Sequence, residues 1–106
     1  MREWKWSPAE KAAARRAFDT ALSRELDAVV LDAKKRVASV TEASQLWELE
    51  RWLSERRRDI DETFDFRYSV LPFVFAGLVR KGRLTGEDLH GLHLEKLEAI
   101  RLMVRI

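Results

Sequence analysis

The stretch WELERWLSERRRDIDETFDFRYSV, Trp47 to Val70, decides how this chain is read. It carries two tryptophans, Trp47 and Trp52, three consecutive arginines, Arg56 to Arg58, and a dense set of carboxylates. Its apolar positions, with Leu46 just before it, are Leu49, Leu53, Ile60 and Phe64, a helical stripe interrupted by Arg56 and Arg57. The spacing predicts a helix from about Glu42 to Phe64. A helix needing only to fill a core would carry fewer large, semi-polar groups. Trp47 and Trp52 stand about 140° apart around a helix, so they do not both face one core. One of them is expected at a subunit or partner interface, where an aromatic with a polar edge is favoured. Asp65-Phe66-Arg67 closes the pattern, and Asp65 and Arg67 are expected to hold that corner by capping and ion pairing.

Upstream, Ser7-Pro8-Ala9-Glu10 reads as a helix start. Ser7 can cap, Pro8 suits the first turn, and Glu10 completes a capping box. Phe18, Leu22, Leu26, Val29, Ala33 and Val37 then recur at three- and four-residue steps, giving an amphipathic helix to about Ala38. Val40-Thr41 breaks it, with Thr41 expected as the next cap and Ser44 as its competitor. Two long helices with a short connection pack as an antiparallel pair. Downstream, the composition from Tyr68 to Val79 would also suit a buried strand, but Pro72 argues against an interior strand and is acceptable in a first helical turn. Lys81-Gly82 ends this third helix. Thr85-Gly86-Glu87-Asp88 is read as opening the last one, with the stripe Leu89, Leu92, His93, Leu97, Ile100 and Val104.

The expected fold class is therefore all-α: two long antiparallel helices forming a dimeric stalk, about residues 8–64, plus a small two-helix head, about 65–106. Residues 1–106 are read as a single helical domain. At 106 residues the chain is one domain in size, and the rest of it is too short to bury a long helix pair, which implies a second copy.

Composition narrows the function classes. Charged residues make up 36% of the chain, yet the net charge is only +2, so no strong single-sign field is expected. There is no cysteine, which excludes disulfides, thiolate catalysis and cysteine metal sites. The N-terminal MREWKWSPAE lacks the apolar core of a signal peptide, and the longest apolar run, Val70 to Ala76, is far below the ~20 residues of a membrane span. A soluble cytoplasmic protein is expected, with no membrane partner. His90 and His93 could share a helix face, but two imidazoles need further ligands, so no metal site is assigned. No glycine loop cradles a phosphate, and no ordered serine, histidine and aspartate set appears. No enzyme and no cofactor are expected. Arg56 to Arg58 invite a nucleic-acid reading, but Glu48, Glu50, Glu55, Asp59, Asp61 and Glu62 are interleaved with them. A salt-bridged helix face is the plainer account, and a protein-binding face is the third, because tryptophan and arginine dominate binding hot spots.

The same stretch resembles the fluorescence recovery protein family, small helical regulators of the orange carotenoid protein. The resemblance lies in Trp47-x-Leu49, Leu53-Ser54, Arg56-Arg57, Ile60-Asp61, Asp65-x-Arg67-x-Ser69-Val70 and Phe73-Val74-Phe75-Ala76. It extends from Trp6-Ser7 through Arg24-Glu25-Leu26-Asp27 toward the C-terminus. It implies an all-α homodimer that binds the C-terminal domain of the red, photoactivated carotenoid protein and speeds its return to the orange form, releasing the phycobilisome. It places the family's functional tryptophan on Trp47, its functional arginine on Arg57 and an exposed head phenylalanine on Phe73. The family aspartate falls on Arg51, a reversal of charge. A family histidine falls on Glu50 and a head lysine on Ala99. Partner-binding residues are thus expected at Trp47, Glu50, Arg51, Arg57 and Phe73. Two readings follow from Arg51: the contact with the carotenoid protein has changed, or the partner is a different protein.

Overall fold

The computed structural model describes residues 4–105. Helix α1 spans Pro8–Ala38 and helix α2 spans Ala43–Thr63. Helix α3 spans Leu71–Arg80, a single 3-10 turn spans Glu87–Leu89, and helix α4 spans Leu94–Val104. No strand occurs among the described residues. The molecule measures 53 × 26 × 26 Å, its long axis set by the 31 residues of α1.

The start of α1 is as the sequence predicts. The Glu10 amide donates to Ser7 Oγ at 3.1 Å, and the Ser7 amide donates to Glu10 Oε1 at 3.3 Å. The start of α2 differs in its cap. Glu42, rather than Thr41 or Ser44, occupies the N-cap position. Gln45 Oε1 accepts from the Thr41 amide at 2.6 Å, the Glu42 amide at 3.0 Å and the Thr41 hydroxyl at 3.2 Å. One amide side chain at the third helical position thus folds back to satisfy the backbone donors at and just before the N-cap.

The two long helices run antiparallel. Near the connecting turn, the Arg36 guanidinium lies 4.2 Å from the Trp52 ring; at the far end, the rings of Phe18 and Phe64 are 5.4 Å apart. The exit from α2 is then clamped by aromatic contacts, Phe18 to Phe66 at 5.0 Å, Phe66 to Tyr68 at 5.5 Å and Tyr68 to Trp6 at 5.4 Å. The phenylalanine pairs and Phe66–Tyr68 meet edge-on, Trp6–Tyr68 at a tilt of 44°, and edge-on pairs add stability beyond the area they bury. Arg15 lies 3.7 Å over the Phe66 ring. At the corner Arg67 Nη2 lies 2.6 Å from Asp65 Oδ2, an ion pair between near neighbours, while Phe64 and Val70 occupy the flanking cap positions.

The core sits at one end. Ala13, Ala14, Ala17 and Ala21 form a small-residue stripe on the first half of α1, and Phe18 flanks it. The stripe lets α3, the 3-10 turn and α4 approach closely, burying Leu71, Phe75, Ala76, Leu78, Leu84, Leu89, Leu92 and Ile100. Gly91 marks the closest approach: its φ is +102°, and a Cβ there would stand 2.8 Å from Ala13 Cβ. Glycine alone meets both demands.

The last helix starts later than its sequence suggests. Thr85 and Asp88 do form a cap, with the Thr85 amide 2.8 Å from Asp88 Oδ2, but it serves only the 3-10 turn. Gly91 then redirects the chain, and α4 begins at Leu94 with His93 at its N-cap. The His93 amide is satisfied by a residue of α1, Glu10 Oε2, at 2.8 Å.

Candidate functional site

Helix α2 has no buried residue. At about 100° per residue, Leu49, Trp52, Arg56 and Ile60 form the row that turns toward α1; these four are only partly covered. Leu46 and Leu53 lie next to that row and remain 48% and 41% exposed. With Leu49, Glu50, Ser54 and Arg57 they line a shallow depression of about 350 Å³. Helix α1 carries a matching flank. Leu26, Val30 and Val37 sit beside its inward row of Leu22, Val29 and Ala33, and all three are about half exposed. The flank lies about 60° around α1 and about 65° around α2 from the respective inward rows, both clockwise seen from each helix's own N-terminus. Because the helices are antiparallel, both rotations lead to the same side. One side of the helix pair is therefore a continuous aliphatic strip with Glu50 and Arg57 on it.

The sequence-selected residues divide between three surfaces. Glu50 and Arg57 share the aliphatic side. Trp47, 65% exposed, points away from α1, and exposed Arg51 and Arg58 share that outer face of α2. Trp52 is the tryptophan that packs, half-buried beneath Arg36. Phe73 lies on α3 and is 61% exposed, whereas its neighbour Phe75 is fully buried. The fold thus brings Trp47, Glu50, Arg51 and Arg57 onto adjoining faces of one helix and leaves Phe73 on another element. Among the described residues Arg51 and Arg57 form no ion pair, while Arg56 is tied to Asp59 at 2.8 Å.

Three polar ties that sequence reasoning missed join α1 to the head. Glu10, fully buried, has Lys96 Nζ 3.0 Å from each carboxylate oxygen and His93 Nδ1 at 3.2 Å. Lys96 is itself buried, donates to the Lys5 carbonyl at 2.5 Å and lies 4.7 Å from the Trp6 ring. Burial alone would raise the Glu10 pKa, but the His93 amide, Lys96 and the Ser7 amide together hold it below the usual glutamate value. Glu25, also buried, pairs with Lys81 and Arg83, which likewise outweigh burial and lower its pKa. Arg24 meets Asp88 at 2.6 Å, and that hydrogen bond, against burial and helped by Thr85, lowers the Asp88 pKa to about 2. A signal was available: Glu10 stands at helical spacing to the alanine stripe, and Lys96 lies four residues from both Leu92 and Ile100.

Among the described residues, no group of three or more acidic or histidine side chains could hold a metal. Among the same residues, no helix is long and apolar enough to cross a membrane. The molecule is an all-α protein whose long helix pair carries an exposed aliphatic side and whose buried charges join its parts.

The chain belongs to the fluorescence recovery protein family. The family model described as "Photoprotection regulator fluorescence recovery protein" matches residues 6–104. The fluorescence recovery protein of Synechocystis sp. is 36% identical over 101 residues, 95% of this chain and 93% of that protein. The structure of the Fremyella diplosiphon fluorescence recovery protein superposes with a TM-score of 0.90 at 37% identity, covering 96% of this chain and 100% of that one. The structure from Synechocystis sp. PCC 6803 gives a TM-score of 0.90 at 35% identity over the same shares. Membership in a family of photoprotection regulators, rather than of known enzymes, is thereby established.

Proposed function

We propose that this chain is a homodimeric, non-enzymatic cytoplasmic regulator that binds the C-terminal domain of an orange carotenoid protein. Binding accelerates that protein's return from the red active state to the orange dark state. No covalent chemistry is needed, since a binder that prefers the path to the compact state requires only differential affinity along it. The observation that carries this reading is that Trp47 and Arg57 are both exposed on adjoining faces of α2, Arg57 with no ion pair among the described residues, within a chain that matches its family almost end to end. In this reading residues 1–106 act as one domain. A second copy covers the aliphatic side made by Leu26, Val30, Val37, Leu46 and Leu53. Trp47 and Arg51 on the outer face, Arg57 and Glu50 at its edge, and Phe73 on the head make the partner contacts.

A second reading is favoured by one residue. Arg51 stands where the resemblance expects an aspartate, and a reversed charge at a contact turns attraction into repulsion worth several kcal/mol. The chain would then be an adaptor of the same dimeric build for a different protein. Nucleic acid is the least supported partner, because Arg56 is occupied by Asp59 and carboxylates alternate with the remaining arginines.

The test is a recovery assay. A carotenoid protein is photoactivated, this protein is added in the dark, and the red-to-orange absorbance change is followed. Acceleration that disappears in Trp47→Ala and Arg57→Ala supports the regulator. Acceleration only by Arg51→Asp would mean that the scaffold is competent and the contact has diverged. Failure of both would sink the carotenoid reading for that partner.

A further inference from the structure

A cleft of about 440 Å³ opens in the head, well away from α2. Its floor and walls are aliphatic: Val79 from α3, Leu89 from the 3-10 turn, and Leu97, Ile100 and Val104 from α4. One rim is cationic. Arg101, in the last turn of α4, and Arg105, at its C-cap, both line the cleft at an i, i+4 spacing. Neither makes an ion pair among the described residues. Glu98, the nearest acid before them, lines a neighbouring hollow together with both arginines and Leu102 and pairs with neither among the described residues. Gly86 also lines the cleft; its backbone is helical and a Cβ there would meet nothing within 4 Å.

These features specify a ligand. The volume lies within the range of small-molecule sites, about 300–1,000 Å³, and the lining is the usual mixture of apolar wall and few polar groups. Two forked guanidiniums with no internal partner select an anion, and a planar carboxylate matches their geometry. We propose that this cleft binds a single-chain carboxylate amphiphile. Its alkyl tail lies against Val79, Leu89, Leu97, Ile100 and Val104, and its carboxylate sits between Arg101 and Arg105. The site is independent of the α2 surface, so its occupancy does not depend on which carotenoid or other protein the chain recognises.

The test uses the full chain and two probes with the same tail, laurate and dodecyltrimethylammonium, each kept below its micelle concentration. Calorimetric titration is expected to show saturable one-site binding of laurate and at least tenfold weaker binding of the cationic probe. The double variant Arg101→Ala/Arg105→Ala should lose about tenfold or more in laurate affinity, as expected when a charge-assisted bidentate contact is removed. Gly86→Phe, placed where the backbone tolerates a side chain and space is open, should block laurate while leaving the circular dichroism and melting temperature close to those of the parent. Equal binding of the two probes, full retention of laurate affinity in the double arginine variant, or no saturable laurate binding would overturn the proposal. Capture by this cleft of an acidic peptide but not of laurate would overturn it equally.

Discussion

The two ends of this molecule treat the same material differently. At the head end, α1 offers Ala13, Ala14, Ala17, Phe18 and Ala21, and every one of them is buried by the chain's own later segments. At the other end, α1 offers Leu26, Val30, Leu31 and Val37, all about half exposed, and α2 contributes no buried residue. Charges follow the same division. Glu10, Glu25 and Lys96 are buried and paired at the head end, whereas no charged residue of α2 is buried, and Arg51 and Arg57 form no ion pair among the described residues. The head end therefore encloses a core by intramolecular contacts, whereas the helix pair at the other end leaves its aliphatic side exposed.

Substitutions at the two ends should separate stability from assembly and recognition. The largest expected effect is at the head: Phe75→Ala removes a fully buried ring and should cost about 3–5 kcal/mol in urea unfolding. Lys96→Met should cost a similar amount, about 3–5 kcal/mol, because it leaves the buried Glu10 carboxylate without its cation. The companion Glu10→Gln/Lys96→Met variant should recover part of that loss, and failure to recover any would remove the ion pair from the account. Gly91→Ala, which forces a Cβ against Ala13 at a positive φ, should cost about 1–3 kcal/mol.

Acid should loosen the same end. Glu10, Glu25 and Asp88 all have lowered pKa values in the fold, so their pairing contributes fully above the ordinary carboxylate range and fades as pH falls through the folded values. For Asp88 the window runs from its ordinary 3.8 down to about 2. Near-ultraviolet dichroism followed from neutral pH to pH ~2 should register loss of the head packing in that interval. The smallest effect on stability is expected at Trp47. With its ring 65% exposed, Trp47→Ala should alter unfolding by no more than about 0.5 kcal/mol while abolishing partner-dependent recovery.

Much of this was legible in the sequence because it is local. Ser7-Pro8-Ala9-Glu10 carries its own cap, and Pro72 and Gly82 mark the ends of α3 without reference to anything distant. The start of α4 was not legible. Thr85 and Asp88 satisfy a local capping rule, but the true start at His93 depends on a carboxylate 83 residues earlier, Glu10, receiving its amide. The second role of Glu10 escaped for the same reason: its capping function is complete locally, so nothing near it in the chain demands Lys96. On α2 the stripe of Leu46, Leu49, Leu53 and Ile60 reads as one face. The structure divides it between residues covered by α1 and residues left open, a distinction that periodicity alone does not make.

The most direct test of this contrast is the solution mass of the chain, measured by light scattering at micromolar concentration, beside Leu53→Asp and Val30→Asp. The account predicts twice the mass of one chain for the parent, and a single-chain mass for both variants with the head's near-ultraviolet spectrum retained. A parent that stays monomeric, or variants that still pair, would contradict the claim that the aliphatic side of the helix pair is completed by a second copy.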